Sequence, residues 1–315
     1  MPPAVESPFR PIFIAGPTAV GKSAVALRLA ETIGGEIITA DSMQVYRGLD
    51  IGTAKPTPAE RARVPHHLLD ICDLQESFDA AQFIRHAQVA VAQIQARGHT
   101  PIFCGGTGLY FKAFLEGLGE APATHPELRA ELVATPLPTL LEELRARDPV
   151  AYDKIDRQNP RRVIRAVEVI RLSGKPFSEQ RSTWQDAPTL SAHAAHFFCL
   201  TRTSADLHAR INTRVEEMFR LGLVAETEHL LKHGLAENIF AMQAIGYRQV
   251  VGHLRGEQGL AETIELVKSR TRQFAKRQLT WFRRHGHGEW LELQPAETSA
   301  EILSKISARL LPAGM

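Results

Sequence analysis

A parallel α/β sheet flanked by helices is the fold class this 315-residue sequence predicts, and three observations predict it. Short apolar runs alternate with helical periodicities through the N-terminal third. The first run leads into Gly16-Pro17-Thr18-Ala19-Val20-Gly21-Lys22-Ser23, a G-x-x-x-x-G-K-[ST] phosphate loop. The next two runs end in Asp41 and in Gly105-Gly106. In open parallel sheets, ligands bind beyond the C-terminal strand ends, so these three places should converge on one site.

Each element has its own signal. Pro11 to Ala15 reads as a buried strand, and Ser23 to Ile33 as a helix. Between them, Gly16 and Gly21 allow a tight turn, and loop amides plus the helix N-terminus face an anion. Lys22 adds a positive charge, and the Ser23 hydroxyl suits Mg²⁺. Glu36 to Asp41 is a second strand, and Ser42 to about Pro65 a polar loop. Ala80 to Gln95 carries Phe83, Ile84, Ala87, Val91 and Ile94 near helical spacing, with Arg97-Gly98 as its stop. Pro101 to Cys104 is another strand.

The pattern changes near residue 120. Pro122, Pro126, Pro136, Pro138 and Pro149 punctuate short helical stretches up to about Ser191, which reads as a helical insertion. His196 to Thr201 returns to strand. Helices follow at Asp206–Leu221, with Ser204 as N-cap, and at Val224–His233, Met242–Leu254 and Leu260–Arg284. Trp290 to Leu293 closes as a short strand. The expected organisation is a phosphate-loop NTPase-like core over 1–119 and 196–315, helical in its C-terminal part. An all-helical subdomain over 120–195 is inserted into it.

Composition excludes several classes. At 44% hydrophobic and 23% charged, the chain can bury a sizeable core. No apolar run reaches the ~18 residues of a membrane span, and residues 1–8 lack signal-peptide character. Cys72, Cys104 and Cys199 are isolated, with no Cys-x-x-Cys pair, so no zinc site or disulfide framework is expected. Cys104 and Cys199 read as core. His285 and His287 read as loop residues rather than metal ligands. The chain reads as a soluble cytoplasmic monomer.

A net charge of +2 implies nothing globally. Two local clusters say more: Lys268, Arg270, Arg272, Lys276, Arg277, Arg283 and Arg284, without an acid between them, and Arg157, Arg161, Arg162 and Arg165. Together with a phosphate loop they point to a polyanionic partner.

The chemistry is narrowed by an absence. Most phosphate-loop proteins carry a Walker-B acid for Mg²⁺, and the strand ending at Cys104 runs into Gly105-Gly106-Thr107-Gly108 instead. Asp41 is the acid at the sheet mouth, beside Ser42 and Gln44. It suits a general base or, equally, a turn former.

Longer segments carry a family resemblance. They are Gly16–Ser23, the run Asp41-Ser42-Met43-Gln44 through Pro56, Pro65-His66-His67-Leu68-Leu69-Asp70, Gly105–Tyr110 and Arg161-Arg162-Val163-Ile164-Arg165. Gln243-Ala244-Ile245-Gly246-Tyr247-Arg248 and Lys276-Arg277-Gln278-Leu279-Thr280-Trp281-Phe282-Arg283 complete the set. In this order they resemble the tRNA dimethylallyltransferases, or tRNA isopentenyltransferases. Val20 and Ser23 depart from the Ser and Thr associated with those positions, and phosphate binding survives both.

The resemblance implies transfer of a dimethylallyl group from dimethylallyl diphosphate to N6 of the adenosine 3′ of the tRNA anticodon. Asp41 would be the base. Lys22, Ser23 with Mg²⁺, Arg214 and Arg210 would hold the diphosphate. Ser42, Met43, Gln44, Thr107, Arg129 and the Arg161–Arg165, Gln243–Arg248 and Lys276–Arg283 segments would face tRNA. ATP also fits such a loop. The competing readings are a small-molecule phosphate-loop kinase and a non-catalytic RNA-binding ATPase.

Overall fold

The central strand is wholly apolar. Ile12–Ala15 (β1) is buried at every position, as expected for a strand covered by helices on both faces. The computed structural model describes residues 9–118, 122, 124–180, 196–285 and 288–310. Residues 1–8, His287 and the end of the expected insertion lie outside them. The chain divides into two compact units, Met1–Lys112 with Ser191–Met315, and Ala113–Leu190.

In the first unit, Gly21 takes a left-handed turn (φ 111°) into helix Lys22–Ile33 (α1). Gly35–Ala40 (β2) follows, fully buried. The polar stretch after it, where the sequence predicts loop, contains a helix, Pro58–Arg63 (α2). Thr57 and Glu60 make its capping box. His66–His67 (β3) is a two-residue edge strand, also unforeseen. Asp79 caps Ala80–Ala96 (α3) by accepting from the Gln82 amide. Thr100–Gly105 (β4) comes next, then Gly108–Glu116 (α4), which begins in this unit and ends in the second.

The second unit holds Pro126–Ala134 (α5), Leu137–Arg147 (α6), Pro149–Lys154 (α7), Pro160–Ser173 (α8) and Phe177–Gln180 (α9). A proline stands in the first turn of each of α5 to α8. There its missing N–H costs nothing and its fixed φ favours the helix. Leu132, Leu140, Leu144, Val163 and Val167 form its core.

The first unit resumes with His196–Thr201 (β5) and Ser204–Arg220 (α10). Thr203, not Ser204, is the N-cap of α10, its hydroxyl accepting from the Asp206 amide. Leu223–Leu231 (α11) follows. The expected helix from Met242 is interrupted: a 3₁₀ turn spans Ala241–Gln243, Gly246 adopts φ 100°, and Tyr247–Leu254 (α12) begins only there. Leu260–His285 (α13) runs 26 residues and takes in His285, for which the sequence predicts loop. Glu289–Glu292 (β6) and Ser299–Leu310 (α14) complete the unit.

The six strands lie in the order β3-β2-β4-β1-β5-β6, each neighbour parallel. The phosphate loop therefore leaves the middle of the sheet, between the ends of β4 and β5. The three cysteines are free and buried. Burial pushes the Cys199 thiol up to about 12 and that of Cys104 to about 11. Among the described residues no helix is long and apolar enough to cross a membrane.

Candidate active site

The phosphate loop is held from outside by arginines. Gly16 adopts φ 143°, and a Cβ there would meet the Leu200 carbonyl at 2.5 Å. Ala19 stands in the left-handed region at φ 64°, a conformation that costs a non-glycine residue free energy. Arg210 Nε donates to the Ala19 carbonyl and Arg202 Nε to that of Val20, both at 2.9 Å. In a planar trans peptide the N–H points opposite to its C=O. Arg210 and Arg202 thus orient the Val20 and Gly21 amides. Arg202 is buried and itself fixed by Asp206 and the Gln294 carbonyl. The sequence reading missed it; its place just after β5 was the available signal.

One pocket gathers the charged groups. Lys22, Ser23, Asp41, His66, Cys104 and Arg214 all line it. Lys22 Nζ donates to the Pro17 carbonyl at 2.6 Å. Burial pushes the Lys22 ammonium down to about 8, with Arg214 pushing the same way and Asp41 opposing. Burial also lowers Arg214, again opposed by Asp41. Two desolvated cations thus face a single carboxylate. Such a site is short of negative charge, and an anion would restore its balance. Burial likewise lowers His66, whose Nδ1 lies 2.8 Å from the Val64 carbonyl.

Asp41 forms the turn that was one of the two readings offered for it. Its Oδ1 accepts from the Met43 and Gln44 amides at 2.8 and 3.3 Å in an Asx turn, and the residue lines the pocket. Thr107 secures this turn: its hydroxyl accepts from Ser42 N–H, and its own N–H donates to the Ala40 carbonyl. β4, beside β1, ends in Gly105 with no acid.

The run after Asp41 is braced by polar side chains. Gln44 Nε2 donates to the Thr53 and Ala54 carbonyls. Lys55, buried, donates to the Tyr46 carbonyl, Asp50 and Asp70. Glu226 accepts from the Ile51 and Gly52 amides and from the Tyr247 hydroxyl, the last at 2.6 Å. Burial and the Glu226 charge both push the Tyr247 hydroxyl upward.

Burial corrects the expected tRNA contacts of Val163, Ile164, Ala244, Tyr247 and Gln278. Val163 and Ile164 pack in the core of the second unit. Ala244 and Tyr247 are buried, so Tyr247 cannot stack on a base. Gln278 is buried against the phosphate loop. Arg129 and Arg165 both donate to the fully buried Glu168, and Arg165 also to the Pro122 carbonyl. Lys268, counted in the basic run, pairs with Glu216 and Glu265. Arg162, Gln243, Arg248, Lys276, Arg277 and Arg283 remain on the surface, and Arg161, Ser42 and Met43 are half-buried.

Fold and site together define a phosphate-loop α/β protein with a cationic pocket at the mouth of its sheet. The IPP transferase family model matches residues 44–285, and the chain belongs to that family. The tRNA dimethylallyltransferase 1 of Trichlorobacter lovleyi is 46% identical over 94% of this chain and 97% of its own. That of Geobacter metallireducens is 45% identical over 91% and 94%. Among solved structures, tRNA delta(2)-isopentenylpyrophosphate transferase from Staphylococcus epidermidis superposes with TM-score 0.70 at 34% identity, over 95% of this chain and 98% of the other. A eukaryotic dimethylallyltransferase acting on tRNA gives 0.77 at 28% identity, over 96% and 77%.

Proposed function

We propose that this chain transfers the dimethylallyl group of dimethylallyl diphosphate to N6 of the adenosine next to the tRNA anticodon on its 3′ side. The observation that carries the reading is the pairing of Lys22 and Arg214 with Asp41 in one pocket at the phosphate loop. A diphosphate leaving group suits the two cations. An exocyclic amine about to lose a proton suits the carboxylate.

The balance is simple. The N6–carbon bond forms and the carbon–oxygen bond to diphosphate breaks, its electron pair leaving on oxygen. The N6 proton goes to Asp41. Lys22, Arg214 and the loop amides stabilise the charge growing on the leaving oxygen. Among the described residues, no group of three or more His, Cys, Asp or Glu side chains is placed to hold a metal ion. That fits Mg²⁺, which binds through few protein oxygens plus substrate phosphates and water. Ser23, exposed on the pocket wall, would hold it. When bound, it would neutralise diphosphate charge.

The acceptor base must leave its loop stack to reach Asp41, which costs a few kcal/mol. Lys276, Arg277 and Arg283 on α13, and Arg161 and Arg162 on α8, are the cations we assign to RNA phosphates. Affinity for the anticodon stem-loop should therefore fall steeply with salt; a flat response would remove these cations from the reading.

The deciding assay mixes the protein with unmodified tRNA, Mg²⁺ and either radiolabelled dimethylallyl diphosphate or ATP. Label is expected to move into RNA. Brisk ATP turnover with no label transfer would favour the ATPase or kinase and would falsify the transferase.

A further inference from the structure

Gln278 lies on α13 with 7% of its surface exposed. Its Oε1 accepts from the Thr18 amide and its Nε2 donates to the Gly106 carbonyl, both at 2.9 Å. Only this amide orientation matches an N–H on one side and a C=O on the other. Thr18 belongs to the phosphate loop beyond β1, and Gly106 to the turn beyond β4. The next residue, Thr107, holds the Ser42 amide and so the turn that carries Asp41. One side chain therefore touches both the anion cradle and the chain segment that secures the carboxylate.

The closeness is visible in the glycines. A Cβ at position 106 would stand 2.2 Å from Gln278 Nε2, and one at 108 would stand 2.1 Å from the Trp281 ring. Helix α13 thus lies close against the β4 turn, with the Trp281 ring where only glycine fits at position 108. Both polar ends of Gln278 are engaged by main chain, which sets it apart from its exposed neighbours Lys276 and Arg277.

We propose that Gln278 is a positioning residue that sets the spacing between the diphosphate cradle and Asp41. This rests on the transferase reading above. The reacting carbon and N6 must meet at a near-attack distance, and a misplacement of about 1 Å can cost on the order of 10²-fold in rate. Gln278 contributes by fixing that distance, with neither substrate bound more tightly for it.

Two variants test this. Gln278→Met keeps the volume and loses both hydrogen bonds. It should lower kcat by roughly 10–100-fold, while equilibrium affinities for pyrophosphate and for an anticodon stem-loop stay within about 3-fold of wild type. Gln278→Glu is nearly isosteric. Protonated, its carboxyl group can donate to Gly106 and accept from Thr18; ionised, it opposes the Gly106 carbonyl. Its activity relative to wild type should climb as pH is lowered from about 8 to about 6.

A Gln278→Met kcat within about 3-fold of wild type overturns the proposal. So does a Gln278→Glu deficit independent of pH. Loss of stem-loop affinity with kcat intact would make Gln278 an RNA contact instead. If the wild-type protein itself moves no label, the transferase reading fails; if it does and Gln278→Met matches it, only this inference fails.

Discussion

The phosphate loop and the Ser42–Pro56 run both supply groups to one pocket, yet they are held by different means. The phosphate loop is shaped by its own backbone: Gly16, Ala19 and Gly21 take positive φ. Remote side chains only trim it, Arg202 and Arg210 by turning two carbonyls outward. The second run also has positive-φ positions, Gly48 and Ala54, but side chains do more of the work. Its shape comes from buried polar partners, Lys55 with Asp70 below and Glu226 with Tyr247 from α11 and α12. Local geometry is written locally; the polar bracing depends on residues some 175 positions away.

The largest test asks whether Asp41 belongs to chemistry or only to the turn. Asp41→Asn keeps acceptors for the Met43 and Gln44 amides but cannot take a proton. It should lose about 10²–10⁴-fold in turnover while pyrophosphate still binds, as measured by calorimetry. Near-normal turnover would reduce Asp41 to a turn former.

The bracing comes next. Glu226→Ala leaves the Ile51 amide and the Tyr247 hydroxyl without their acceptor, and the Gly52 amide with the Tyr247 hydroxyl alone. The expected loss is about 1–3 kcal/mol in denaturant unfolding, with acceptor kinetics damaged more than pyrophosphate binding. Equal damage to both would erase the distinction between the two loops.

A smaller effect probes the phosphate side. Lys22 sheds its proton near pH 8 in the folded chain, against 10.5 in its ordinary state. The folded state therefore binds fewer protons than the unfolded one between these values, and the Lys22 contribution makes ligand-free stability rise with pH across that window. Pyrophosphate favours the ammonium, so its affinity should weaken above pH 8, by at most about tenfold per pH unit, and binding there should take up protons. Lys22→Met should flatten this profile. Tyr247→Phe gives the smallest change, about 0.5–1.5 kcal/mol in unfolding, because Glu226 keeps its amide contacts.

The same contrast explains what the sequence reveals. Strands β1, β2, β4 and β5 and the phosphate loop are legible because apolar runs and glycine spacing are local signals. β3 is two residues long and shows no pattern. The break before α12 hides because it is made by backbone angles, a 3₁₀ turn ending in extended Ala244 and then Gly246 at φ 100°, with no proline to announce it. Charge misleads in another way. Arg129, Arg165 and Lys268 look available in sequence, but Glu168, Glu216 and Glu265 occupy them. Glu226 escapes notice since nothing beside it in sequence marks what it will touch, and Arg202 offers only its place just after β5.

Cys199 lies in β5, between β1 and β6, with no exposed surface. Its raised thiol is inert toward alkylating reagents while the sheet is closed. Alkylation at this position therefore clocks the opening of the sheet. Cys72 and Cys104 are also buried, and the raised thiol of Cys104 on the pocket wall reacts slowly at neutral pH, so one cysteine added at the surface would take a dye first, giving an optical report on this fold without removing any native residue.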